Sequence, residues 1–139
     1  MGGVGFSLRR CSVCGSCGSV SVVSVRGLRA GDQSVVYVGR RCAGWEGSVL
    51  GNPFRLGPGE AAGAASGQFR VWLRGVVAAG LAGSALSGGE TAAWAELVRL
   101  AAVVRAGQSV RLACWCGPAG GTCHAFVVRE AVVFLAGRG

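Results

Sequence analysis

The sequence predicts a small, single α/β domain with a parallel strand pair in a short sheet and about three helices. Two segments indicate strands: the β-branched run SVVYV at residues 34–38 and the alternating run SVRLACWC at 109–116. Two stretches with helical periodicity lie between them. A strand, a helical crossover and a second strand form a βαβ-type unit, so the two strands should be parallel. The length of 139 residues, half of them hydrophobic, suits one domain with its own core.

The N-terminal part is rich in Gly and Ser, and we expect residues 1–33 to be a poorly ordered leader ahead of a domain over 34–139. The leader contains a β-like stretch from Val20 to Val25. It also contains Cys11, Cys14 and Cys17, which would bind a metal or an iron–sulfur cluster only if another ligand joined them. A start site placed upstream of the true domain explains this segment equally well.

Helical patterns account for most of the rest. The first helix should begin near Glu60 and end at the Gly/Ser-rich residues 83–89. Its apolar stripe is Phe69, Trp72, Leu73, Val76 and Val77. A second helix should run from about Thr91 to Arg105, with an inner face of Trp94, Leu97, Val98, Ala101 and Val104, and Gly107 as its stop. A last helix is expected from Cys123 to about Ala136.

Parallel strands end at the same edge of a sheet, and ligands of open α/β sheets bind outside that edge. Gly39, Arg40 and Arg41 follow the first strand, whereas Cys114, Cys116, Cys123 and His124 lie at the end of the second strand and the start of the last helix. The topology should therefore bring these two distant segments together.

The motifs VYVGRR…GNPF, FRVWL and LACWC…P…CHA occur in this order, and with them the chain resembles the family called domain of unknown function 4326. The resemblance runs from about Val35 to Leu135. It implies a small protein of a kind often seen in phages and actinobacteria, but it implies no activity. Relatives commonly continue Cys-His-Ala with Asp, where this chain has Phe126.

The cluster of Cys114, Cys116, Cys123 and His124 has three readings. Four such ligands could close a tetrahedral zinc site, although adjacent Cys123 and His124 diverge by about 100° on a helix. Alternatively, Cys123 or Cys116 could be a nucleophile and His124 its base, because N–H groups at a helix start stabilise a thiolate. In the third reading the cysteines pack as small hydrophobes and His124 caps the helix.

The loop after the first strand offers ligand-binding groups. Arg40 and Arg41 could hold a phosphate, the amide of Asn52 in the GNPF motif could contact a base or ribose, and Trp45 could stack on a base. GNPF also has a purely conformational reading as a turn, since Pro53 keeps Asn52 extended.

The net charge of +8 comes entirely from Arg, and the arginines are spread along the chain. An odd number of cysteines without a secretory leader favours a reducing cytoplasm. Charge-free runs such as Gly75 to Gly89 are too short to cross a bilayer, so no membrane partner is expected.

We therefore expect a pocket for a nucleotide or nucleic-acid end, in a protein that could be a hydrolase or transferase. The alternatives are a non-catalytic interaction module, whose last helix is fastened by zinc or packing, and an accessory protein that binds DNA nonspecifically.

Overall fold

The computed structural model describes residues 18–41, 44–51, 64–114 and 124–138. Their elements are β1 (Val20–Ser24), β2 (Val36–Tyr37), α1 (Ala64–Ala82), α2 (Gly88–Arg105), β3 (Val110–Cys114) and α3 (His124–Arg138). Within these ranges the strands form one three-stranded parallel sheet in the order β1-β3-β2. The predicted small α/β domain with a parallel strand pair is confirmed.

The first strand of the sheet corrects the predicted domain boundary. β1 pairs with β3 along its whole length, from Val20 opposite Val110 to Ser24 opposite Cys114. A boundary between residues 33 and 34 is therefore wrong, because residues 20–24 form an edge strand of the domain. The Gly- and Ser-rich composition of residues 1–33 predicts a leader, yet pairing with the central strand supplies the backbone partners that residues 20–24 need. Residues 1–17 of the expected leader lie outside the described part of the chain.

Both faces of the sheet are covered, as is usual for parallel strands. Alternate residues of each strand point to opposite sides. On one side Leu112 and Cys114 of β3 join a large core with the three helices, whereas Ala113 on the other side joins a smaller cluster. The members of that smaller cluster are Val25, Val35, Trp45 and Ala113.

Helix α1 buries three residues of the predicted stripe, Phe69, Leu73 and Val76, which are at most 1% exposed, whereas Trp72 and Val77 are partly buried. Helix α2 begins with a capping box in which Glu90 accepts the backbone N–H of Ser87. Its predicted inner face is wrong at one position, because Val98 is 45% exposed. The buried stripe of α2 is Ala93, Leu97, Leu100, Ala101 and Val104. At about 100° per residue, Val98 turns away from the core that its neighbour Leu97 enters.

Three polar contacts hold α3 in place over the sheet. Its first residue, His124, reaches the carbonyl of Val38. Farther along, Arg129 Nε donates to the carbonyl of Val20 over 2.8 Å. At the C-terminal end of α3, the carbonyl of Leu135 accepts a hydrogen bond of 2.8 Å from Arg105 of α2. This carbonyl is one of the last four of the helix, which have no partner within the helix. The N-terminal turn of α3 is thereby fixed at the carboxyl edge of β2.

Among the described residues, none of the helices has both the length and the apolar character needed to span a bilayer.

Candidate functional site

The site is organised by a contact between residues 86 positions apart in the chain. His124 Nε2 lies 2.6 Å from the carbonyl oxygen of Val38, directly after β2. A carbonyl oxygen can only accept a hydrogen bond, so Nε2 carries the proton and donates it. The structure thus brings the segment after β2 and the first turn of α3 to one edge, as parallel strands predict.

The imidazole of His124 is held in a half-buried position. The ring of Phe69 on α1 meets it edge to face, with 5.2 Å between the ring centroids. Burial lowers the pKa of His124 below its ordinary value of 6.5, the positive charge of Arg40 lowers it further, and the hydrogen bond to Val38 raises it only in part. His124 is consequently neutral at pH 7, and Nδ1 is the nitrogen with the lone pair. Proton acceptance or metal binding by His124 would therefore use Nδ1.

The backbone that presents Arg40 and Arg41 is fixed by successive hydrogen bonds. Val38 N–H donates to the carbonyl of Ala113 over 2.9 Å, and the carbonyl of Gly39 accepts the N–H of Ser48 over 3.0 Å. The hydroxyl of Tyr37 donates to the carbonyl of Arg40. Arg40 and Arg41 are both exposed. Two cations thus project from a segment whose conformation is set before any ligand arrives.

Gly39 of the VGRR motif, next to Arg40 in the chain, lies close to Gly51 of the GNPF motif. A Cβ on Gly39 would lie 2.6 Å from the hydroxyl oxygen of Tyr37, and a Cβ on Gly51 would lie 3.1 Å from the carbonyl oxygen of Gly39. A side chain at Gly39 would collide with the end of the Tyr37 side chain, and one at Gly51 would require the Gly39 carbonyl to shift by a few tenths of an ångström. The VGRR and GNPF motifs are therefore adjacent through Gly39 and Gly51. Asn52, the predicted base or ribose contact, lies outside the described residues.

Trp45 lies within the small cluster on the sheet face opposite the helices. Its side chain is 5% exposed, and its ring stacks on Tyr37 with centroids 4.9 Å apart. Trp45 thereby supports the tyrosine whose hydroxyl holds Arg40. Because its indole is buried in this packing, we leave Trp45 out of the binding surface proposed below.

The cysteine cluster is only partly described. Cys114 is 1% exposed and belongs to the core between sheet and helices. Cys116 and Cys123 lie outside the described residues. Among the residues that the structure describes, no three His, Cys, Asp or Glu side chains are grouped as metal ligands would be. The predicted zinc site and the predicted thiol and imidazole pair both stay predictions.

Two arginines that sequence reasoning missed belong to the same edge. Because β1 and β2 are both parallel to β3, the segments after them leave the sheet at the same carboxyl edge, on either side of β3. Both Arg26 and Arg29 are exposed in the segment after β1. Residues 18–51 carry four arginines against Asp32 and Glu46. The carboxylate of Asp32 accepts hydrogen bonds from the N–H and hydroxyl of Ser34, which lower its pKa. The run from Val20 to Val25 was the signal that could have revealed these two cations.

Fold and site together define a small α/β domain with a basic carboxyl edge. A protein-family model described as Domain of unknown function (DUF4326) matches residues 23–133, so the chain belongs to this family. The match begins inside β1, in agreement with the strand's place in the sheet. No curated protein and no solved structure matches the chain.

The buried histidine makes stability depend on pH. Since the folded state lowers the pKa of His124 below 6.5, the unfolded chain binds the proton more readily. The contribution of neutral His124 to the free energy of unfolding should be fully present above about pH 6.5. It should be lost as the pH falls from there toward the lowered pKa. Urea unfolding between about pH 7.5 and pH 5, above the range in which ordinary carboxylates titrate, measures this effect. His124 is the chain's only histidine, so His124→Gln should flatten the profile. If the free energy of unfolding depended on pH equally in the wild-type protein and in His124→Gln, the lowered pKa of His124 would be contradicted.

Proposed function

We propose that the carboxyl edge of the sheet binds the phosphate of a nucleotide or of a nucleic-acid end. The contact between His124 and Val38 carries the proposal, because it joins the segment bearing Arg40 and Arg41 to the N-terminal turn of α3. Anions bind favourably where guanidinium groups and the N–H groups of a helix start point to the same place.

The surroundings suit an anion of more than one charge. Arg26 and Arg29 are exposed in the segment that follows β1 and would add positive charge at the same carboxyl edge. Tyr37 and Ser48 fix the backbone at Arg40 and Gly39, so little conformational entropy is lost when a phosphate is bound. Asn52 follows Gly51 in the sequence and would contact the base or ribose.

In the enzymatic form of this proposal, the bound nucleotide undergoes hydrolysis or group transfer. The thiol of Cys123 or Cys116 would give its proton to Nδ1 of His124, and the thiolate would attack the phosphorus. A P–S bond would form as the P–O bond to the leaving group breaks, and the imidazolium would give its proton to the leaving oxygen. Water or an acceptor hydroxyl would then cleave the P–S bond and release the thiol. The neutral state of His124 supports this role, because a protonated imidazole could not accept the proton.

The binding proposal predicts that Arg40→Ala and Arg41→Ala each weaken binding of a 5′-phosphorylated single-stranded oligonucleotide. Loss of a charge-assisted hydrogen bond costs about 1.5–3 kcal/mol, or roughly a ten- to hundredfold loss of affinity. Fluorescence anisotropy at fixed salt measures the effect. Arg99→Ala is the control, because it removes the same charge from α2, where Arg99 is exposed and donates two hydrogen bonds to Glu96.

Comparison with the 5′-hydroxyl oligonucleotide separates end recognition from general attraction to DNA. We expect the phosphorylated form to bind more tightly at every salt concentration. Equal affinity for both forms, with a steep fall as salt rises, would instead support the accessory protein that binds DNA nonspecifically. An unchanged affinity in both arginine variants would contradict the proposed site.

A second candidate function is a non-catalytic interaction module in which the Cys/His corner fastens α3 to the sheet. The observation that favours it is the packing of the two described cluster members. Cys114 lies in the core, and His124 is hydrogen-bonded to Val38 and packed on Phe69. Zinc held by Cys116, Cys123 and His124 would be one means of fastening, and apolar packing would be the other.

The module reading predicts that His124→Ala destabilises the fold by about 1–3 kcal/mol, because the carbonyl of Val38 loses its donor. His124→Gln keeps an N–H donor and should lose less stability. Denaturant unfolding measures both, and elemental analysis of the reduced protein measures zinc. A His124→Ala or Cys123→Ser protein that keeps its full stability but no longer binds the phosphorylated oligonucleotide would contradict this reading and support the binding site.

A further inference from the structure

A second surface, away from the carboxyl edge, is an open groove between α1 and α3. It encloses about 430 Å³. Its lining is mostly apolar and comes from the facing sides of the two helices: Leu73, Arg74, Val77, Ala78, Leu81, Val127, Glu130, Ala131 and Phe134. Leu73 and Val127 form a buried floor, whereas Leu81 is 43% exposed and Phe134 is 50% exposed. Two large apolar side chains of the groove are therefore exposed to solvent, and a partner that bound in the groove would cover them.

The charged groups beside the groove are mainly positive. Arg74 lines it and has no hydrogen-bond or ion-pair partner among the described residues. The guanidinium of Arg138 lies 5.7 Å from the ring centroid of Phe134. The acidic residue of the lining, Glu130, is paired with Arg70 on α1. An occupant therefore meets two cations that no acidic residue of the described chain neutralises.

We propose that this groove binds an acidic amphipathic helical segment of another protein. From Leu73 to Leu81 the groove is roughly 12 Å long at 1.5 Å per residue, which is about two helical turns. A helix with apolar residues at i, i+3, i+4 and i+7 would place them against Leu81, Val77 and Phe134. Acidic side chains at the borders of that stripe would reach Arg74 and Arg138. The inference does not depend on the nucleotide site.

Charge and area both argue against other occupants. A second copy of the chain carries the same net charge of +8 and would bring the same cations together. Stable dimers bury about 800 Å² and 20–30 residues on each partner, whereas nine residues line this groove. The chain's own residues 1–17 contain Arg9 and Arg10 and no acidic residue, so they lack the matching charge.

The test uses the full chain and a labelled synthetic helix with leucines at i, i+3, i+4 and i+7 and glutamates elsewhere. Fluorescence anisotropy should show saturable binding, and a peptide with lysine in place of each glutamate should bind at least tenfold more weakly. Phe134→Ala should weaken binding of the acidic peptide about tenfold, and Arg74→Glu about fivefold or more. Val98→Ala is the matched control, since it removes a similarly exposed apolar side chain from α2 and should change affinity less than twofold.

Several results would overturn the proposal. They are absence of saturable binding by the acidic peptide, equal binding of the lysine peptide, and equal effects of Phe134→Ala and Val98→Ala. A concentration-dependent dimer that Phe134→Ala dissociates would overturn it too, because the occupant would then be a second copy. Circular dichroism of each variant confirms that the fold is retained. Oligonucleotide binding should be unchanged in Phe134→Ala, which separates this surface from the carboxyl edge.

Discussion

The hydrogen bond from His124 to Val38 is the constraint on which the rest of the site depends. It joins the end of the edge strand β2 to the start of α3, and these two elements are far apart in the chain. Arg129 and Arg105 hold the middle and the end of the same helix. A helix fixed at three points cannot slide along the sheet. Arg40 and the first turn of α3 are therefore kept side by side without any ligand.

The same helix contributes to two different surfaces. Its first turn faces the basic carboxyl edge, whereas its middle and last turns form one wall of the groove with α1. Phe69 of α1 and His124 of α3 meet edge to face at the start of α3, and neither residue lines the groove. One surface is polar and carries exposed arginines, and the other is apolar with flanking cations. In the two proposals, the basic character of the chain would serve two kinds of acidic partner.

Sequence patterns predicted the fold class, because strand-like and helical segments alternate along the chain. They also predicted that the segments after β2 and β3 meet, because two strands joined by a helical crossover are parallel and end at the same edge of the sheet. They indicated a β-like stretch from Val20 to Val25 but assigned it to a leader outside the domain. A five-residue edge strand in a Gly- and Ser-rich segment gives no local sign of its partner, and its stability comes from pairing with β3. Leaving β1 out of the sheet also hid Arg26 and Arg29. The burial of Trp45 was not predictable either. A tryptophan in a loop has no periodic pattern around it that would show whether its ring faces solvent or packs on Tyr37.

The tautomer of the histidine gives the most direct test of the central contact. Long-range ¹⁵N–¹H NMR of the labelled protein reports one imidazole, since the chain contains one histidine. At neutral pH we predict a neutral ring with the proton on Nε2 and slow exchange of that proton with water. A neutral ring with its proton on Nδ1 would show that His124 does not donate to Val38 and would remove the basis of the proposed site. A ring protonated on both nitrogens at pH 7 would instead contradict the lowered pKa of His124.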